Sequence, residues 1–375
     1  MQSIKLYILI TACIILFGGC ASSKKTSLFY KPQLIEVAQL THQPTGIAVS
    51  QKGRIFINFP RWNTAHEYSV AELSNDGSLH PYPDEEWNWW EPETSLNSKK
   101  HFVCVQSVYC DNDGHLWILD PAQSLFITGI SEPAKLVKVD LATDQVMDIF
   151  YFDSSIAPSG SYLNDIRIDT TDNFAYITDS GLGAIIVLDI KKRSARRILS
   201  NHPSTKAEPQ TTITINSVPL QGTDGKTPQI HADAIALDTK NEYLYYQALT
   251  GKTLYRFNTS YLKDATVHDL EYELRARPYA KNSIVDGITM DHNGNMYLTS
   301  LEQNAIVRFN EEKTITQILI QDTRISWPDS VCIGPDGFLY FTASQIHLMP
   351  QFNNGADKRT VPYYVFKIDI KRYLK

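Results

Sequence analysis

Six segments of the sequence repeat one pattern, and no other feature narrows the possible folds as much. Each opens on a small or polar residue, runs through alternating apolar positions, turns, and enters a second strand carrying an aromatic. The segments are TGIAVSQKGRIFINF from Thr45, QSVYCDNDGHLWILD from Gln106, NDIRIDTTDNFAYITD from Asn164, DAIALDTKNEYLYYQA from Asp233, DGITMDHNGNMYLTS from Asp286 and DSVCIGPDGFLYFTA from Asp329. In every copy the aromatic follows the leading residue by eleven or twelve positions: Phe56, Trp117, Tyr176, Tyr245, Tyr297 and Tyr340. Gly53, Gly114, Asn173, Asn241, Gly294 and Gly337 mark the turns, where tight hairpins need a positive φ. Further strands follow, such as KLVKVDL from Lys135 and AIIVLDI from Ala184. A sheet of three or four antiparallel strands is left with apolar faces, so such sheets stack. Six of them closed in a ring cover one another and leave only short edges. The prediction is an all-β, six-bladed β-propeller with few helices, in which the repeated aromatics fill the wedges between blades. An open solenoid of the same units is the alternative. LIEVAQL (Leu34–Leu40) precedes the first repeat and is expected to close the ring beside YVFKIDI of the last.

The start of the chain has a different character. Lys5 is followed by an apolar run from Leu6 to Phe17 that ends in Gly18-Gly19-Cys20. A charged start, a run too short for a stable span and small residues before a cut site read as a signal peptide. Cys20 after two glycines resembles a bacterial lipobox, with Phe17 where Leu is usual. The expected layout is a signal peptide over 1–19, a lipidated tether over 20–32 attached through the Cys20 thiol, and the propeller over 33–375. The tether holds Ser22, Ser23, Lys24, Lys25 and Thr26. The protein is then expected in the bacterial cell envelope, anchored to a membrane and facing the periplasm or the exterior. Ordinary secretion is the alternative. A net charge of −6 gives no pull toward nucleic acid, and no feature calls for an oligomer, so a monomer is expected. Cys104 and Cys110 read as positions along one strand, roughly 20 Å apart at ~3.3 Å per residue, too far to bridge. With Cys332 they are expected to be buried thiols.

Each leading residue begins the innermost strand of its blade. Thr45, Gln106, Asn164, Asp233, Asp286 and Asp329 should therefore converge on one mouth of the central channel, while alternation should turn Asp165 away from it. Three carboxylates at one mouth repel unless something positive or a proton joins them. A cation such as Ca²⁺, ordered water, or a bound amine would each serve. The insertions over 80–101, with Trp87, Trp89 and Trp90, and over 198–231, with its prolines, are expected to rim or cover that mouth. His231, two residues before Asp233, is a candidate base or a structural histidine. No G-x-S-x-G, H-E-x-x-H or phosphate-cradling glycine loop occurs.

GRIFINFPRW, PYPDEEWN, GHLWILD, PAKLVKVDL, YLNDIRID with FAYITDSG, LYYQALTGKTLYRF, VDGITMD with LEQNAIVRFN, and ISWPDSVCIGPDG, taken in this order, resemble the yellow/major royal jelly proteins in their bacterial branch. The resemblance runs from about residue 42 to 370. It implies an exported six-bladed propeller, and for some members a small aromatic amine in the channel. Bacterial members are often related to dopachrome-converting enzymes. Insect members carry disulfides near the second and third blades, and this chain has no partner cysteine near Asp172 for Cys110. The wider superfamily includes gluconolactonase-like metal-dependent lactonases. By that likeness Asn164, Asp233 and Asp286 fall at metal-ligand positions, but Thr45 stands where those enzymes have Glu; in a hydrolase reading Asp329 or His231 is the candidate base. The expected function is binding of a small, aromatic ligand at the channel. The alternative is a Ca²⁺-dependent lactone hydrolase or a dopachrome-type isomerase.

Overall fold

The structure is a computed structural model, and it describes residues 31–63, 66–92, 97–310 and 315–374. The signal peptide and Cys20 lie outside the described residues. From Pro32 onward the chain forms six four-stranded antiparallel sheets. The first holds Ile47–Val49, Ile55–Asn58, Val70–Leu73 and Leu79–Pro81; the second Ser107–Cys110, His115–Asp120, Lys135–Asp140 and Gln145–Tyr151. The third holds Leu163–Asp169, Phe174–Asp179, Ala184–Asp189 and Ser194–Ile198; the fourth Ala232–Leu237, Tyr243–Ala248, Thr253–Asn258 and Arg277–Lys281. The fifth holds Val285–Met290, Asn295–Ser300, Ala305–Asn310 and Ile315–Gln321, and the sixth Pro328–Ile333, Phe338–Ala343 and Tyr363–Asp369. The sixth sheet takes its fourth, outer strand from Ile35–Leu40, which pairs antiparallel with Tyr363–Asp369. The start of the ring is thus bonded to its end, as LIEVAQL predicts.

The hairpins follow from local chemistry. Gly53, Gly114, Asn173, Asn241, Gly294 and Gly337 all have positive φ, between 57° and 88°. In three blades the turn begins with an aspartate that performs two tasks. Asp111 Oδ1 accepts the N–H groups of Asp113 and His115, and its Oδ2 accepts the Trp117 indole N–H at 2.8 Å. Asp291 treats Asn293, Asn295 and Tyr297 in the same way, and Asp336 accepts from Phe338 N–H and Tyr340 O–H. The carboxylate shapes the turn and lets a large aromatic be buried with its polar atom satisfied.

All six repeated aromatics are buried. Each junction between neighbouring blades has its own apolar cluster; that between the sixth and first includes Ala38, Leu40, Ile57, Tyr340 and Val365. A seventh cluster caps one face of the ring and gathers Trp62, Trp90, Ile213, Leu249, Trp327 and Met349 from loops. Burying one such aromatic is worth on the order of 2–3 kcal/mol. Helices are short and peripheral; Asp269–Arg275 is the longest α-helix among the described residues. Cys104 does not share a strand with Cys110: that strand begins at Ser107, and the Cys104 N–H is held by the Asp120 carboxylate. All three cysteines of the propeller are free; Cys104 is buried, Cys110 and Cys332 half-buried.

Candidate functional site

The inner strands of blades three to six begin with a break in register against their neighbours, between Leu163 and Ile166, Ala232 and Ala234, Val285 and Ile288, and Pro328 and Val331. Each break is a β-bulge: one extra residue bends the strand and re-aims its side chains. Asn164, Asp233, Asp286 and Asp329 all sit in these bulges. Gly287 follows Asp286 where blades five and six nearly touch, and a Cβ there would meet the Asp329 carbonyl oxygen at 2.5 Å. Only glycine allows that approach.

Above the bulges lies a cavity of about 300 Å³. Gln106, Asn164, Asp233, Asp286 and Asp329 form its polar part, and Trp62, Phe126, Tyr162, Trp327, Ile346 and Phe352 much of the rest. Pro228, Gln229 and Ile230, from the insertion before blade four, complete the wall. The Gln106 side-chain oxygen accepts the Tyr162 hydroxyl at 2.8 Å, and that hydroxyl accepts the Trp62 indole N–H at 3.2 Å. Trp327 donates its indole N–H to Asp286 Oδ2 at 2.6 Å. Phe126 meets both Trp62 and Phe352 edge to face, with ring centroids 5.4 and 6.3 Å apart.

Asp233, Asp286 and Asp329 are all buried. Burial, reinforced by the charges of Asp286, Asp165 and Asp329, lifts Asp233 well above the usual carboxylate range, although contact with Asn164 opposes this. Burial lifts Asp286 to about 7 despite the Trp327 donor and contact with Asp233. Asp329 is raised by burial and by the charges of Asp286 and Asp165. The three cannot all be anionic near neutral pH without a compensating positive charge.

Five of the six expected ring residues therefore share one cavity. Thr45 does not reach it: its hydroxyl is held between the Asn58 amide, at 2.9 Å, and the Gln106 main-chain carbonyl, at 3.4 Å. His231 is not on the wall either; its Nδ1 accepts the Ala207 N–H at 2.9 Å, and burial lowers its pKa. The expectation for Asp165 fails. The bulge cancels the alternation, and Asp165 faces the channel one step below the ring, bonded by the Ser107 hydroxyl at 3.1 Å. Trp87, Trp89 and Trp90 do not line the cavity: Trp87 packs on Phe102, Trp90 lies under Arg61, and Trp89 is 63% exposed. The tryptophans at the site are Trp62 and Trp327. Trp327 stands two residues before Asp329, and Tyr162 two before Asn164, a spacing on which the repeat alone places no emphasis.

As metal ligands, Asn164, Asp233 and Asp286 offer two carboxyls and one amide, and Asp286 Oδ2 is already taken by the indole N–H. Among the described residues no three His, Cys, Asp or Glu side chains are grouped as a metal ion requires.

Solved structures with this architecture include a gluconolactonase from Xanthomonas campestris, 12% identical with a TM-score of 0.53, covering 90% of each chain. A luciferin-regenerating enzyme is 13% identical with a TM-score of 0.54, over 90% of this chain and 95% of that one. A streptogramin B lyase is 15% identical with a TM-score of 0.50, over 90% and 98%. At such identities the likeness is one of fold. Among curated proteins, none matches the sequence. The family model described as major royal jelly protein matches residues 103–370, from the approach to blade two through the last strand of the ring. This match spans most of the chain, which belongs to the major royal jelly protein family.

Proposed function

We propose that this protein binds a small, flat, positively charged molecule, an aromatic amine, at the carboxyl end of its channel. The observation that carries the reading is the pairing of three buried carboxyls with an aromatic wall inside one cavity of about 300 Å³. An ammonium would let the carboxyls ionise without mutual repulsion, and ring faces favour a cation and a flat apolar body. Cavities of this size suit a ligand of roughly ten to fifteen heavy atoms. Tryptamine and indole-3-propionate are matched probes that differ in the sign of their charge. Calorimetric titration should show saturable binding of tryptamine and none of the acid. Equal binding of both, or of neither, would overturn the reading.

The second reading, a metal-dependent lactone hydrolase or dopachrome-type isomerase, draws support from the gluconolactonase-like architecture and from the convergence of Asn164, Asp233 and Asp286. A melting midpoint that falls with EDTA and recovers with Ca²⁺ would favour it. Attachment to the cell envelope through Cys20 belongs to the same proposal. Mass spectrometry of the mature protein should find a lipid-modified N-terminal Cys20, and an unmodified chain starting elsewhere would refute it.

A further inference from the structure

The channel widens a second time, to about 140 Å³, beyond the carboxyl ring. Its wall uses later positions of the same inner strands: Val49, Tyr109, Cys110, Arg167, Thr289 and Cys332. It opens past Gln51 and Asn112, two exposed residues on the inner hairpin turns of blades one and two. This second mouth is therefore on the opposite face of the ring from the carboxyls.

Arg167 is the unusual group here. Its neighbours in blade three are paired, Arg193 with Asp148 and Arg197 with Asp179. Arg167, half-buried, makes no ion pair among the described residues. Its Nη1 and Nη2 each donate to a main-chain carbonyl, those of Ile166 and Ile288, both at 2.6 Å. A guanidinium has five N–H donors, so three remain beyond these two bonds. The Tyr109 ring lies 5.6 Å from the guanidinium carbon and helps fix its plane. Asn112 accepts from the Gln51 amide at 3.1 Å through its side-chain oxygen, which leaves its NH₂ group as a donor at the mouth. Asp165 is the one carboxyl on this wall. It lies two residues before Arg167, about 6–7 Å back along the strand toward the ring, with one oxygen engaged by Ser107. Arg167 acts on the Asp165 carboxyl through its charge, and toward the outer mouth Arg167 and the Asn112 amide are the donors on the wall.

We propose that this second cavity is an anion site centred on Arg167, open to the face of the inner hairpins, and suited to a small tetrahedral oxyanion such as phosphate. The remaining guanidinium donors suit two oxyanion oxygens, and the Asn112 amide supplies a further donor from the neighbouring blade two. The volume admits one such ion and excludes a bulky organic ligand. Nothing in this assignment depends on the amine reading of the other mouth.

The test uses the full chain and inorganic phosphate at constant ionic strength, with chloride as the balancing anion. Thermal melting of the wild type should show a saturable rise of about 1–3 °C, and calorimetry a single phosphate site. Phosphate also stabilises proteins generally by exclusion from their surfaces, but that effect is linear and does not saturate. Arg167→Met should abolish the saturable part. Asn112→Asp, at an exposed turn position where folding is not at stake, should weaken phosphate at least about tenfold by placing a carboxylate at the mouth. A wild type with no saturable response, or an Asn112→Asp variant with undiminished phosphate affinity, overturns the assignment.

Discussion

Asp286 shows how single residues make the site. Its carboxyl is buried beside Asp233 and takes one hydrogen bond from Trp327. Its folded pKa of about 7 stands above the ordinary 3.8, so its charged form is disfavoured by folding. The cost is small below the ordinary value and grows as pH rises through 7. Asp286→Asn keeps the shape and an oxygen for the indole. The expected result is a melting midpoint about 1–3 °C higher at pH 8, little change at pH 4, and tryptamine binding at least about tenfold weaker. A variant that is less stable at pH 8 yet binds normally would show the ring to be architectural. His347 has the opposite sign. Its ring lies parallel to Trp327, with centroids 6.0 Å apart, and burial pushes its pKa down to about 4. A depressed histidine contributes stability that is complete above about 6.5 and is lost as pH falls toward 4. His347→Phe keeps the stacking and removes the titration. The wild type should lose on the order of 2–3 kcal/mol more than this variant between pH 7 and pH 4, measured by urea melts at each pH. Parallel pH profiles would refute that role. The carboxyls were readable from the sequence because each opens a repeat. Trp327 and His347 belong to no repeat, and nothing in residue type marks them as partners of the ring.

At the scale of strands, the turns and the closing strand were legible and the bulges were not. Alternation along Ile35–Leu40 buries Ala38 and Leu40 and exposes Gln39, as a two-residue period requires. Leu40 pairs with Tyr363 and packs in the junction between blades six and one. Leu40→Arg should therefore cost on the order of 3–5 kcal/mol by chemical denaturation, while Gln39→Arg one residue away should stay within about 0.5 kcal/mol. Equal effects would mean that this strand does not hold the ring shut. A bulge inserts a residue without changing the apolar pattern on either side, so side-chain types alone do not reveal it. That is why alternation placed Asp165 on the wrong side, although the ring residues beside it were placed correctly. The same bulges bring Asn164, Asp233, Asp286 and Asp329 to one level, so the element that misled the alternation is the one that builds the site.

In the whole molecule, the ring turns six local sheets into one channel whose ends differ in charge. Six repeats fix the number of blades, but they do not say which loops cover which mouth. The insertion over 198–231 reaches the cavity through Pro228, Gln229 and Ile230 as expected, whereas Trp90 of the other insertion packs under Arg61 and Phe126 and Phe352 come from loops that the repeats do not single out. The two ends are also linked through space. Arg167 lies about 10 Å from the ring, three residues along one strand. At that distance, with an effective dielectric of about 40, two unit charges interact by about 0.8 kcal/mol, or about fourfold in affinity. An unneutralised guanidinium opposes an ammonium at the ring; a phosphate on Arg167 removes that opposition. Tryptamine should thus bind about fourfold more tightly in saturating phosphate, and phosphate should gain by the same factor from tryptamine, because coupling between binding sites is reciprocal. Arg167→Met, with the positive charge already gone, should bind tryptamine tightly without phosphate and show no coupling. Phosphate that weakens tryptamine, or coupling that persists in Arg167→Met, would mean that the two mouths communicate by something other than the field across the channel.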